Sequence, residues 1–195
     1  MMNLLRIDAS ASGDKSVTRQ LTEKIQKVQE DRHGDLNVTQ IDLNEMELPF
    51  LSPDMIASYF TPEEKRSDDQ KGIIKISDEI VSEWKKADII ILGVPMYNFG
   101  LPGKLKTYFD QLARVGETFH YGESGPVGHL KGKKVYIGVA TGGTPIGSPY
   151  DHVTPYLKTF LAFLGMEELS IVSIDKRGDI NELMSEAHQE IVSWQ

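Results

Sequence analysis

Apolar positions along the chain follow two alternating rhythms. Ala87-Asp88-Ile89-Ile90-Ile91-Leu92-Gly93 is a near-continuous β-branched run. A run of that kind, apolar on both faces, reads as a central parallel strand. Leu4 to Asp8, Leu36 to Leu43, Lys134 to Ala140 and Leu169 to Ile174 read as four further strands. Between them the period changes to that of a helix. Leu21, Ile25 and Val28 mark one face of Ser16 to Gln29, and Leu105, Phe109 and Leu112 mark one face of Gly103 to Leu112. Thr61-Pro62-Glu63-Glu64 reads as an N-cap, a first-position proline and a first acidic turn. It opens a long predicted helix to about Lys86, with Ile73, Ile76, Ile80 and Trp84 as its apolar stripe. Asp151 to Leu164 and Asn181 to Trp194 are the last predicted helices, and Met55 to Phe60 is a short one. Val115 to Gly128 interrupts the alternation as a Gly-rich, aromatic, hairpin-like excursion.

Strand–helix alternation of this length predicts one α/β domain over residues 1–195. Its parallel sheet has five strands in the order 2-1-3-4-5, with helices on both faces. The carboxyl ends of strands one, three and four then share one edge, where open α/β sheets bind ligands.

Composition narrows the chemistry. The 195 residues carry a net charge of -8, which disfavours nucleic acid as a partner. No stretch has the apolar length of a membrane span, and Met1 to Arg6 lacks a signal-peptide core. The expectation is a cytoplasmic protein. With no cysteine, thiol catalysis, disulfides and thiolate metal sites are excluded. His33, His120, His129, His152 and His188 show no metal-ligand spacing.

Three loops remain as candidates. Ala9 to Arg19 places Ser10, Ser16, Val17 and Thr18 before and at a helix N-terminus, where free amides, hydroxyls and the helix dipole favour a phosphate. It has neither the Walker glycines nor GxGxxG. Pro95-Met96-Tyr97-Asn98-Phe99 is an aromatic loop stiffened by Pro95 and Pro102. Ala140-Thr141-Gly142-Gly143 lets a ligand approach the backbone. Each has a bland local reading: a capped Ser-rich turn, a strand-to-helix connection, a tight turn. Their convergence on one edge instead describes a site for a flat ring with a phosphate tail, and FMN is the candidate.

The whole chain resembles the FMN-dependent NADH-azoreductase and NADH:quinone oxidoreductase family, of flavodoxin-like fold. The resemblance is carried by Pro95-Met96-Tyr97-Asn98-Phe99, Asp110, Thr118-Phe119, Tyr121, Gly125-Pro126, Gly142-Gly143, Val153 to Leu157, Thr159 to Leu161 and Phe163. It implies that Ser10 and Ser16-Val17-Thr18 hold the FMN phosphate, and that Pro95 to Phe99 and Ala140 to Gly143 hold the ring. Where the family often has Ser-Gln-Ser and Ser-Arg-Gly-Gly, this chain has Ser16-Val17-Thr18 and Ala140-Thr141-Gly142-Gly143. The amides survive; the guanidinium at position 141 does not. The resemblance further implies a homodimer and a ping-pong route, in which NADH passes a hydride to the flavin and a quinone or azo acceptor then takes the two electrons at the same place, two such rounds splitting an azo bond. No side chain need act as nucleophile or base. Phe119 and Tyr121 either stack on planar substrates or pack the hairpin. Alternatives are a one-electron carrier of the flavodoxin type, a phosphoacceptor domain built on Asp8, and an NADPH-preferring reductase of chromate or nitro compounds on the same fold.

Overall fold

A computed structural model describes residues 1–194. The central strand is β3 (Ile89–Pro95), every residue of which is buried. On one side it pairs in parallel with β1 (Met2–Asp8), and β1 with β2 (Leu36–Asp42). On the other it pairs with β6 (Lys134–Ala140), and β6 with β7 (Leu169–Ile174). The order β2-β1-β3-β6-β7 is the expected 2-1-3-4-5 order once the strands of a separate hairpin are numbered. That hairpin is β4 (Phe119–Gly122) and β5 (Gly125–Gly128), paired antiparallel.

Strand alternation splits the core in two. Leu5, Ile7, Ile90, Leu92, Val94, Val135, Ile137 and Val139 face one way. They meet Trp84 of α3 (Asp68–Lys86), Leu105 and Phe109 of α4 (Gly103–Leu112), and Leu157 and Leu161 of α5 (Thr154–Phe163). Leu4, Ile89, Ile91, Tyr136 and Val172 face the other way. They meet Leu21 and Ile25 of α1 (Val17–His33) and Leu183 and Ile191 of α6 (Ile180–Ser193). Two-sided burial is why β3 is apolar without interruption. None of the described helices is long and apolar enough to cross a membrane.

Two expectations are corrected. The long helix begins at Asp68, not near Pro62, because Ser67 and Gln70 form a complete capping box. Thr61 instead ends α2 (Pro53–Phe60): its hydroxyl donates to the Ala57 carbonyl and accepts from Gln70 Nε2. The face of α3 is also rotated. Ile74, Ser77, Ile80, Val81 and Trp84 are its buried positions, whereas Ile73 and Ile76 are only half-buried. Ser77 can face inward because its hydroxyl donates to the Gln111 carbonyl at 2.6 Å. Trp84 does so with Nε1 donating to the Tyr108 hydroxyl at 2.9 Å; burial pushes that phenol's pKa well up.

Candidate functional site

The first loop leaves β1 and enters α1 through Ser16, whose hydroxyl accepts from the Arg19 amide at 3.1 Å and lies 3.0 Å from the Thr18 hydroxyl. The Gln20 amide reaches the Ser16 carbonyl. Among the described residues nothing accepts the Val17 and Thr18 amides. Two free donors and the positive end of a 17-residue helix therefore lie together at its N-terminus, beside the paired Ser16 and Thr18 hydroxyls. Ser10, Ser16 and Thr18 are buried beneath it. Two of the nearby acids are held by donors, while Asp14 of the same loop is exposed and, among the described residues, unpaired. Asp8 accepts from Arg6 Nε at 3.0 Å and the Thr22 hydroxyl at 2.7 Å, and is 1% exposed. So enclosed, it is a poor phosphoacceptor. Asp42 is bound by Arg19 and by the Asn44 amide. Burial raises the Asp42 pKa, but Arg19 and Asn44 outweigh it and hold the carboxyl below its usual range. The hydrogen bond that Arg19 donates to Asp42 likewise raises the pKa of the guanidinium.

The second loop is a two-residue turn. Tyr97 and Gly100 exchange backbone hydrogen bonds of 3.0 Å. Asn98 and Phe99 between them have φ of 50° and 68°, the left-handed region of a type I′ turn. For phenylalanine this is strained, and strain of this sort gathers at functional sites. The turn leaves Phe99 half exposed, with its ring centroid 5.9 Å from that of Tyr150. The Tyr97 hydroxyl accepts the Ala11 amide at 3.0 Å and lies 3.4 Å from the Ser10 hydroxyl, so the second loop is tied to the first. Pro95 ends β3, and Met96 is buried with its amide donating to the Ala140 carbonyl at 2.7 Å, which ties the second loop to the third.

In the third loop Thr141 donates its hydroxyl to the Thr144 carbonyl at 2.6 Å and its amide to Ile174. Gly142 and Gly143 take φ of 68° and 115°, and a side chain added at Gly142 would meet nothing within 4 Å. That is an open backbone face of the kind a flat ligand can cover. Asp151 anchors the rest of the loop. Its carboxylate accepts the amides of Gly147, Val153 and Thr154 at 3.0 Å, and the Thr154 hydroxyl. Burial opposes its ionisation, but these donors outweigh it and lower its pKa.

The structure thus brings Ser10, Ser16, Val17, Thr18, Pro95 to Phe99 and Ala140 to Gly143 to one edge. The hairpin residues divide. Tyr121 is 72% exposed, whereas Phe119 is packed at 8% exposure with its centroid 4.5 Å from that of Phe163. Phe119 thus packs the hairpin, edge-on to Tyr121 at 5.5 Å, and Tyr121 is the more open of the two faces. Sequence spacing also misses that His120 and His129 meet across the hairpin, Nδ1 to Nε2 at 2.7 Å. It misses the Arg19–Asp42–Asn44 tie, although an Asx pattern at Asp42-Leu43-Asn44 was there to see. A separate 590 Å³ cavity, between β5 and the α5–β7 turn, lies at the opposite, amino edge of β6.

A family model described as a flavodoxin-like fold matches residues 2–194. The chain is 42% identical over 173 residues to an FMN-dependent NADH:quinone oxidoreductase of Erythrobacter litoralis, covering 89% of this chain and 87% of that one. It is 43% identical over 166 residues to a Marinomonas protein of the same name, covering 85% and 84%. The solved azoreductase of Bacillus anthracis strain Sterne superposes over all of both chains with a TM-score of 0.87 and 25% identity. A Bacillus anthracis FMN-dependent NADH-azoreductase, solved in complex with FMN, shares the fold at a TM-score of 0.85 and 24% identity, over 98% of this chain and 96% of that one. The chain belongs to the FMN-dependent NADH:quinone oxidoreductase family, built on the flavodoxin-like fold.

Proposed function

We propose that this protein is an FMN-dependent NADH:quinone oxidoreductase that also cleaves aromatic azo compounds, with donor and acceptor visiting one place in turn. One observation carries the reading. Two amides at the α1 N-terminus that have no acceptor among the described residues share an edge with an aromatic turn and an open Gly-Gly turn. The curated relatives above support it.

The residues present fit FMN. Val17 and Thr18 amides and the Ser10, Ser16 and Thr18 hydroxyls would hold the phosphate, with the buried Asp8 and Asp42 carboxylates taken up by their own donors. Pro95 to Phe99 and Ala140 to Gly143 would hold the ring. When bound, FMN supplies the two-electron chemistry that links NADH to a quinone or azo acceptor. The chain supplies position. The Tyr97 hydroxyl fixes the phosphate loop against the aromatic loop, and the Met96 amide fixes the aromatic loop against the Gly-Gly loop. Gly142 exposes backbone rather than a side chain, so its amide would be open to a bound ring, while the Gly143 amide donates to the Thr141 hydroxyl at 3.4 Å. Phe99, Tyr150 and Tyr121 offer aromatic faces on which planar substrates stack. No side chain serves as nucleophile or base, and protons come from water.

We further read the whole chain as one domain acting in the cytoplasm as a homodimer. Phe50, at 81% exposure, and Phe60, at 69%, support the dimer, since both lie on the apolar segment around α2.

The test is reconstitution with FMN, removal of oxygen, addition of NADH and measurement of visible absorbance. Rapid bleaching, restored by a stoichiometric quinone, is expected. Tight FMN binding with slow bleaching would favour an electron carrier, and failure to bind FMN would refute the three-loop site itself.

A further inference from the structure

The β7–α6 loop, Asp175 to Asp179, takes no part in the site described above, yet it reaches that site. Arg177 lies across the third loop. Its Cγ and Nε are each 3.5 Å from where a Cβ on Gly143 would stand. The other charges of the loop are committed. The Asp175 carboxylate accepts the Ile146 amide at 2.8 Å, and Lys176 pairs with Glu186 at 2.7 Å. The Asp179 carboxylate accepts the Asn181 amide at 2.8 Å and the Glu182 amide at 3.3 Å. Asp151, in the facing loop, is buried among its own donors. Arg177 is exposed, and among the described residues no carboxylate pairs with it and no acceptor holds it.

We propose that Arg177, set beside the open Gly142–Gly143 turn, forms an anion subsite at the mouth of the site for the carboxylate or sulfonate of an acidic aromatic acceptor. The ligand follows from the chemistry. A guanidinium presents a planar fork of donors that matches a carboxylate or sulfonate. Among the described residues Arg177 is the one arginine with no acceptor, since Arg6, Arg19, Arg32, Arg66 and Arg114 all donate to a carboxylate or a carbonyl. The aromatic faces of Phe99 and Tyr150 belong to the same edge and would take the planar part of such an acceptor. The connection is rigid: Thr141 N to the Ile174 carbonyl at 3.1 Å and Asp175 to the Ile146 amide fasten the two loops together.

The identity of the acceptor rests on the quinone-reductase reading; the anion subsite does not. The test compares the FMN-loaded wild type with Arg177→Gln and Arg177→Lys. At saturating NADH, the KM for a naphthoquinone sulfonate should rise about five- to tenfold in Arg177→Gln. The KM for the unsubstituted naphthoquinone should not move, and Arg177→Lys should fall between. Added salt should raise the wild-type KM for the sulfonate and leave that of the glutamine variant flat. Equal losses for both acceptors, or a change confined to the KM for NADH, would overturn the proposal. Equilibrium titration of naphthalene sulfonate and of naphthol, read by flavin fluorescence, separates the two readings. If the wild type reduces neither quinone, the proposed function fails. The subsite then stands only if Arg177→Gln weakens sulfonate binding about five- to tenfold and leaves naphthol unchanged. Sulfonate binding that is absent, or indifferent to the substitution, refutes it.

Discussion

Replacing Val17 by proline separates a phosphate-binding amide from the helix that carries it. Val17 is the first residue of α1, and among the described residues its amide has no acceptor. Proline at that position costs no helical hydrogen bond, and its fixed φ suits the first turn. The residue before a proline must be extended, and Ser16 already is, with φ of -70° and ψ of 122°. The half-buried Val17 side chain packs at the margin of the α1–α6 core, and proline restores much of that volume. Proline also restricts the unfolded chain, so net stability should change by less than about 1 kcal/mol. The bound phosphate, by contrast, loses one charge-assisted donor. Such a bond contributes about 2 kcal/mol, roughly thirtyfold in Kd. The assay is fluorescence titration of the apoprotein with FMN and, separately, with riboflavin, which lacks the phosphate. Val17→Pro should weaken FMN about thirtyfold, leave riboflavin unchanged and keep the thermal midpoint. Equal weakening of both flavins, or undiminished FMN affinity, would refute the assignment of the phosphate to these amides.

Three more perturbations test other parts of the site. Phe99→Gly places Asn-Gly in the type I′ turn; relief of the left-handed strain should stabilise the apoprotein by about 1 kcal/mol while raising the KM for quinone, measured by urea denaturation and steady-state assay. A Cβ at Gly128 would sit 2.0 Å from the Leu164 carbonyl carbon and 2.1 Å from the Gly165 nitrogen. Gly128→Ala should therefore lift the hairpin off the end of α5 and cost about 3 kcal/mol; amide exchange confined to Phe119–Gly128 would report it, and unchanged protection would count against the contact. Asp151→Asn removes a carboxylate whose pKa is lowered by its donors. A lowered carboxyl pKa contributes stability that is present above the unfolded value and lost as pH falls through the folded one. Wild type should exceed the variant by about 2 kcal/mol at neutral pH, and the gap should begin to shrink below roughly pH 4 and close only once pH falls below the lowered folded value. A gap that stays constant from neutral pH down through the acid limb would mean that charge is not what Asp151 contributes.

Much of the architecture was set locally and could be read directly. The Ile89 to Leu92 run has no polar face, which leaves it no place but the middle of a covered parallel sheet. Ser16 caps α1 as its neighbours in sequence require, and the paired glycines mark the turn after β6 whatever surrounds it. Where two local signals competed, only packing decided. Thr61-Pro62 and Ser67-Asp68 both resemble helix starts, and α2 took Thr61 as its own terminus, leaving the capping box to Ser67. Phe119 and Tyr121 lie on one strand and differ little as residues, yet the former is core, because Phe163 of α5 packs against it. The site's remaining order lies in contacts between residues far apart in the chain. The Tyr97 hydroxyl meets the Ala11 amide, Arg19 meets Asp42, His120 meets His129 and Arg177 meets Gly143. Periodicity and capping are short-range effects of backbone geometry, so the sequence alone determined the strands, most helices and the three loops. Which side chains meet across those loops depends on strand order and register, which exist only once the sheet has assembled.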